Sequence, residues 1–240
     1  MYPPCPKTAA PPTRTSVLVR CVRPVTRELA ADHANLLAPE EHRRAARFHR
    51  CEDRTSFVLT RAALRDLLAT PLGLSPHEVV LTQDRRGKPA LTGHPWLAWN
   101  LTRTRDLSLI ALRGALDPPD GGACTPAVGI DIEPSRRPIC GSVAARICTP
   151  DERAHLDVLG PDERQVRLLQ LWVRKEAIAK ADGRGLGLPF TSIGIDADGK
   201  VTITDSDTSM WVRDLDVGDT HVAALATVGA TSAPQLHQWP

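Results

Sequence analysis

The sequence predicts an α+β fold, and three observations carry that prediction. In each half of the 240 residues a long helical pattern is followed by short apolar runs of strand length. A Pro- and Gly-rich stretch, Asp117–Pro126, separates the halves. The composition is 42% hydrophobic and 24% charged, that of a soluble globular chain long enough to bury its own core.

Residues 1–15 are rich in Pro, Thr and Ala and read as a disordered tail. The first half spans 16–116. Ser16–Val22 is a strand. Pro39–Ala69 reads as one long helix or two consecutive ones. Ala45, Phe48, Phe57, Leu64, Leu67 and Leu68 supply its apolar side; Arg43, Arg44, Arg47, Arg50, Arg54, Arg61 and Arg65 supply its charge. Pro71 and Gly73 should end it. Val79–Thr82 is extended, residues 84–89 form a turn, and Leu97–Leu101 and Leu107–Leu112 are strands.

The linker is 117–126 and the second half 127–230. Ala127–Glu133 is a strand. Thr149-Pro150-Asp151-Glu152 marks a helix start, with a Thr cap, Pro in the first turn and Glu three residues after the cap. Asp162–Ala181 is the clearest helix, with Gly183 at its C-cap. Ser192–Asp196 and Lys200–Thr204 make a hairpin around Asp198-Gly199. Trp211–Leu215 and His221–Val228 complete a sheet, and 231–240 reads as a tail. Leu107–Leu112 and Val222–Ala226 stand as equivalent last strands, a hint of internal duplication.

Composition narrows the function. No apolar run reaches the ~18–20 residues of a membrane helix, and the amino terminus has no secretory pattern. Six cysteines without a CxxC pair argue against a zinc ribbon or dithiol site and for reduced thiols in a cytoplasmic protein. Residues 1–120 carry 18 basic against 12 acidic side chains, and residues 121–240 carry 12 against 16. That asymmetry suits a polyanion held on one side and a metal on the other; a solvated Arg-rich helix would give it equally. One Tyr and three Phe leave little for stacking nucleic-acid bases, so a nucleic-acid partner is not expected.

The sharpest local feature is Gly129-Ile-Asp131-Ile-Glu133. On a strand Ile130 and Ile132 point to one face, while Asp131 and Glu133 lie side by side on the other. Adjacent carboxylates call for a cation, and oxygen-only ligands suit Mg²⁺. Taken alone, the pair fits a solvated strand face as well. The second feature is Trp172-Val-Arg-Lys175-Glu176-Ala-Ile-Ala-Lys180. Trp172, Glu176 and Lys180 share one helix stripe, and Lys175 adds charge on a neighbouring face. Three carboxylates, a lysine and an Arg-rich half together make a metal–diphosphate site. No Walker A or GxGxxG sequence is present, and no Ser/His/Asp or Cys/His arrangement stands out.

These motifs resemble those of the 4′-phosphopantetheinyl transferase superfamily. Gly129–Glu133 is similar to its G-[IV]-D-[IV]-E motif, and Trp172–Lys180 to its W-x-x-K-E-[AS]-x-x-K motif, followed by Gly185-Leu-x-Leu188-Pro. Upstream, Gly87-Lys88-Pro89-x-Leu91 resembles G-[RK]-P-x-[LI], and Trp99-Asn100-Leu101-Thr102 falls at the family's F-N-[IL]-S-H-S strand end. The run Glu41-x-x-Arg44-x-x-Arg47-Phe48 resembles E-x-x-[RK]-x-x-R-F. Five motifs in order, from about Pro39 to Pro189, point to the larger single-chain type that activates peptide and polyketide synthases in secondary metabolism.

The resemblance implies two similar halves related by a pseudo-twofold, each a small, mostly antiparallel sheet packed with a long helix, and coenzyme A between them. It implies transfer of the 4′-phosphopantetheine arm of coenzyme A to a serine of an apo acyl or peptidyl carrier protein, releasing 3′,5′-ADP, by a cytoplasmic monomer with no membrane partner. Asp131, Glu133 and Glu176 are the expected Mg²⁺ ligands. Glu176 is the expected base and Lys180 stabilises the departing phosphate. Arg44, Arg61, Arg86, Gly87, Lys88, Thr102 and Arg103, with Asp131 and Lys180, are the expected coenzyme A contacts; Arg47 and Arg54 are alternatives. Thr102-Arg103 stands where the family has Ser-His, and Arg103 replaces an imidazole with a permanent cation. The alternative is a degenerate module that binds coenzyme A or a carrier without turnover.

Overall fold

The computed structural model describes residues 17–23, 26–83, 89–114, 126–229 and 231–239. The expected amino-terminal tail, all but the last residue of the linker, and Arg86, Gly87 and Lys88 lie outside the described residues. In chain order the elements are β1 (Val17–Val22), α1 (Arg27–Asp32), α2 (Pro39–Ala45), α3 (Cys51–Leu72), β2 (Leu81–Gln83), β3 (Pro89–Leu91), β4 (Leu97–Arg103) and β5 (Ser108–Gly114). Then come β6 (Val128–Pro134), α4 (Ala144–Ile147), α5 (Pro150–Asp157), α6 (Pro161–Asp182), β7 (Ile193–Ile195), β8 (Lys200–Ile203), β9 (Ser206–Leu215), β10 (His221–Val228) and β11 (Gln235–Trp239).

Among the described residues the strands form two main sheets. One has the order β11-β1-β5-β4 and the other β6-β10-β9-β8-β7; β2 and β3 make a separate ribbon. Every pairing is antiparallel except β1 with β11. The mixed helix-and-sheet class is as expected.

Three apolar clusters explain the layering. Leu59, Leu64 and Leu68 of α3 pack on Leu18, Ile110 and Leu112 of the first sheet. Val173, Ala177 and Ile178 of α6 pack on Ala224 and Ala226 of the second. Between the sheets, Val17, Val19, Leu109 and Ala111 meet Ile130, Ile132, Ala223 and Leu225. Each such side chain larger than alanine, fully buried, contributes about 1.5–3 kcal/mol relative to exposure. Strand β5 is therefore covered on both faces, and its continuous apolar run is the pattern of a strand without a solvent side.

Several boundaries differ from expectation. Of the two forms the sequence allowed for the Arg-rich stretch, the structure has the two consecutive helices, broken at 46–50, and the break sets Phe48 against Phe57 with ring centroids 5.2 Å apart. Pro71 lies inside the last turn of α3; Gly73, at φ 64°, ends it in the left-handed region that a side chain disfavours. The carboxyl-terminal stretch read as a tail contains β11, which adds to β1. The capping box at Thr149 and Glu152 is present at the start of α5, and Gly183 caps α6. Among the described residues no helix is long and apolar enough to cross a membrane.

Candidate active site

Strands β4 and β6 are edge strands of their sheets, and they meet. The Ile130 N–H on β6 donates to Asn100 Oδ1 on β4 at 3.0 Å. The side-chain amide of Asn100 thus serves a strand-edge group that a neighbouring strand would otherwise serve. Two residues along, the Thr102 hydroxyl donates to Asp131 Oδ1 at 3.1 Å.

Helix α6 covers the same strand. A Cβ on Gly129 would sit 2.1 Å from the Ala177 carbonyl oxygen and 2.4 Å from the Ala181 nitrogen, so only glycine allows this approach. The approach lets Lys180 Nζ donate to Asp131 Oδ1 at 2.6 Å and to the Ile130 carbonyl at 3.1 Å. Asp131 is 6% exposed, and its Oδ2 is buried without a hydrogen-bond partner among the described residues. Glu176 stands one helical turn before Lys180, half-buried. Burial pushes its carboxyl above the ordinary range, and repulsion from Asp131 adds to this; Lys180 and Arg137 partly oppose it.

Glu133 shares the Asp131 face of β6 but forms a close ion pair with Arg137. The Arg137 guanidinium lies 5.6 Å from the centroid of the Trp172 ring. Among the described residues no group of three or more His, Cys, Asp or Glu side chains is placed to hold a metal ion. The three carboxylates expected as a metal set are thus not gathered. Like charges repel, and Lys180 and Arg137 each neutralise one of them.

The basic residues separate into two clefts. A cleft of about 690 Å³ is lined by Arg43, Arg44, Arg47, Phe57, Arg61 and Trp99, among others. Arg44 lies over the Phe57 ring at 5.3 Å. Arg61 is tied to Glu41 at 2.5 Å, and Arg65, read as surface charge, is 1% exposed and pairs with the same carboxylate. Arg65 also donates to the Pro76 and Val79 carbonyls. A second cleft of about 450 Å³ holds Arg103, Thr104, Arg105 and Ser56. Phe48 lines both. Arg103 is exposed at this second cleft, whereas Thr102 is buried and directed to Asp131. Arg54 donates to the Phe48 carbonyl.

Lys175 corrects another expectation. It is 0% exposed, not on a charged face. Its ammonium donates to Glu152 at 2.6 Å and to the carbonyls of Ile147 and Phe190 at 2.7 and 3.0 Å. Burial pulls it below the ordinary lysine value while Glu152 pulls it back. It fastens α4, α5 and the 190–192 turn to α6. The roles of Asn100, Arg137, Glu41 and Lys175 left no signal in spacing, because each depends on a partner far along the chain or beyond a turn.

Comparison with known proteins points to one family. Residues 127–226 match the family model described as the 4′-phosphopantetheinyl transferase superfamily, and residues 23–112 match the one described as 4′-phosphopantetheinyl transferase, N-terminal. The chain is 33% identical over 160 residues to the 4′-phosphopantetheinyl transferase HetI of Nostoc, covering 65% of this chain and 63% of that protein. It is 25% identical over 199 residues to the 4′-phosphopantetheinyl transferase Sfp of Bacillus subtilis, covering 81% and 84%. A Synechocystis relative, 31% identical, is likewise spanned over 63% of its length. A solved holo-(acyl-carrier-protein) synthase of Bacillus anthracis in complex with CoA (3′,5′-ADP) aligns over 44% of this chain and 96% of that one, at 23% identity and a TM-score of 0.38.

Proposed function

Since the chain belongs to the 4′-phosphopantetheinyl transferase superfamily, we propose that it transfers the 4′-phosphopantetheine arm of coenzyme A to a serine of an apo acyl or peptidyl carrier protein and releases 3′,5′-ADP. The observation that carries this reading is the convergence of Thr102, Glu176 and Lys180, from a strand and a helix, on the buried Asp131 carboxylate: Oδ1 accepts from Thr102 and Lys180, and Oδ2 has no hydrogen-bond partner among the described residues.

The unpartnered Oδ2 of Asp131, a buried carboxylate oxygen with the Glu176 carboxyl acting on it electrostatically, fits a divalent cation. Asp131, Glu133 and Glu176, each now beside a cation or apart from the others, are the residues that would have to draw together to hold Mg²⁺, and the ion, when bound, would supply charge neutralisation on the diphosphate. The chain's own groups do the remainder. Glu176, with its carboxyl raised by burial, is suited to accept the proton of the attacking serine hydroxyl. Lys180 lies one turn away and places a cation beside the phosphate that departs. The cleft of Arg43, Arg44 and Arg47 offers charge-assisted donors to the 3′-phosphate, with the Phe48–Phe57 pair beside it for the adenine. Arg103 at the neighbouring cleft is the second candidate for that phosphate. Arg86, Gly87 and Lys88 keep the role that the resemblance assigns them.

We assign residues 16–116 and 127–230 to two halves related by a pseudo-twofold, in a monomer acting in the cytoplasm on carriers of secondary metabolism. Incubation with coenzyme A, Mg²⁺ and a panel of apo carrier domains tests the function. Mass spectrometry should show the gain of one phosphopantetheine arm on the carrier, lost on mutation of its serine. Coenzyme A binding without any such gain would leave the binding module in its place.

A further inference from the structure

Arg137 lies outside every motif described above, yet it reaches three residues of the site. Its guanidinium pairs with Glu133, lies over the Trp172 ring and acts electrostatically on Glu176. Its backbone is held as well, since Gln165 Nε2 donates to its carbonyl at 3.2 Å. An exposed ion pair four residues apart is ordinarily weak, because two long side chains must be ordered to make it. Here the ring and the backbone bond order the arginine from other directions, and the Glu133 side chain is only 20% exposed.

Glu133 is also one of the carboxylates assigned above to the divalent ion. A guanidinium beside it and a dication upon it repel each other strongly at such a distance. The two cations therefore compete for one acidic side chain. We propose that Arg137 is the resident counter-cation of the acidic site: it holds Glu133 beside Trp172 and gives it up when a divalent ion binds. The proposal rests on the metal reading of the preceding subsection. It adds a residue that sets metal affinity without itself touching the metal.

Mn²⁺ titration of the full chain, followed by electron paramagnetic resonance of the free ion, measures this without turnover. Arg137→Gln should lower the Mn²⁺ Kd by about three- to tenfold, the scale of one lost ion pair with its aromatic contact. Arg136→Gln removes the same charge from an adjacent exposed position and should change Kd by less than about twofold. In a Glu133→Gln background the effect of Arg137→Gln should vanish. Mg²⁺ should also change tryptophan fluorescence in the wild type, and not in Arg137→Gln or Trp172→Phe. Equal Kd values for wild type and Arg137→Gln, or equal effects of the two arginine variants, overturn the counter-cation. No Mn²⁺ binding by any of the proteins overturns the metal reading and this proposal together.

Discussion

Glu176 is held by the fold at a cost, and the sign of that cost can be measured. Its carboxyl is raised above the ordinary range, first by burial and then by Asp131. A raised carboxyl favours the neutral form in the folded chain. The stability it contributes is full below the ordinary glutamate range and is lost as pH climbs through its folded value. Above that value the wild type carries an unfavourable charge that Glu176→Gln lacks. In metal-free buffer at pH 8 the variant should melt about 2–4 °C higher, the shift that about 1 kcal/mol produces in a chain of this size. The gap should close toward pH 4. Transfer to a carrier should fall by about 10²–10⁴-fold in the same variant, the range typical of a lost acid–base group. Calorimetry across pH beside the mass assay checks both halves. A melting point that falls at pH 8 would remove the argument that this side chain is strained for its task.

Gly129 shows how one element sets another. Its missing Cβ allows the α6 backbone to lie on β6, and the Lys180–Asp131 pair follows from that approach. Gly129→Ala meets backbone atoms at 2.1 and 2.4 Å, which cannot rotate away. Urea unfolding should show a loss of about 1–3 kcal/mol, the scale of overpacking, with activity reduced further because the helix carries Glu176 and Lys180. Gly141→Ala, whose Cβ would meet nothing within 4 Å, should change stability by less than about 0.5 kcal/mol. Equal effects at the two glycines would refute this account of the motif. Strand β6 and helices α5 and α6 were legible because alternation, a capping box and a terminal glycine are local signals. The place of the break at 46–50 was not, since neither Gly nor Pro marks it and the contact of the tilted Phe48 and Phe57 rings is tertiary. Lys175 was misplaced for a related reason. A lysine reads as surface until the three acceptors that converge on it are seen. Asp131, Glu176 and Lys180 were recognisable from motif spacing, while the pairing of Glu133 with Arg137 across a turn was not.

At the scale of the molecule, the site lies at one margin of the first sheet and strand β11 lies at the other. Strand β11 adds to β1 at the edge opposite β4, so Gln235–Trp239 pairs far from Asp131 in strand order. Sequence alone concealed this. Gln235–Trp239 does not alternate in hydrophobicity, and its anchor is one tryptophan with distant partners. The Trp239 indole N–H donates to Asp66 Oδ2 at 3.3 Å, its ring lies 4.7 Å from that of His33, and Arg20 pairs with the same Asp66 oxygen at 2.5 Å. Trp239 is 7% exposed and belongs to the cluster that seats α3 on the first sheet. Trp239→Ala should therefore cost about 3–5 kcal/mol, as for other buried tryptophans. It also removes one of the two side-chain partners that the Asp66 carboxylate has among the described residues, leaving Arg20. Because strands β1 and β5 separate this clasp from β4, the KM for coenzyme A of the variant that remains folded at low temperature should stay within about twofold of wild type, a change of under about 0.5 kcal/mol. Thermal melts and coenzyme A kinetics at 15 °C distinguish the cases. A large rise in KM with little loss of stability would mean that strand β11 acts on the site through the sheet, and the separation of the two margins argued here would be wrong.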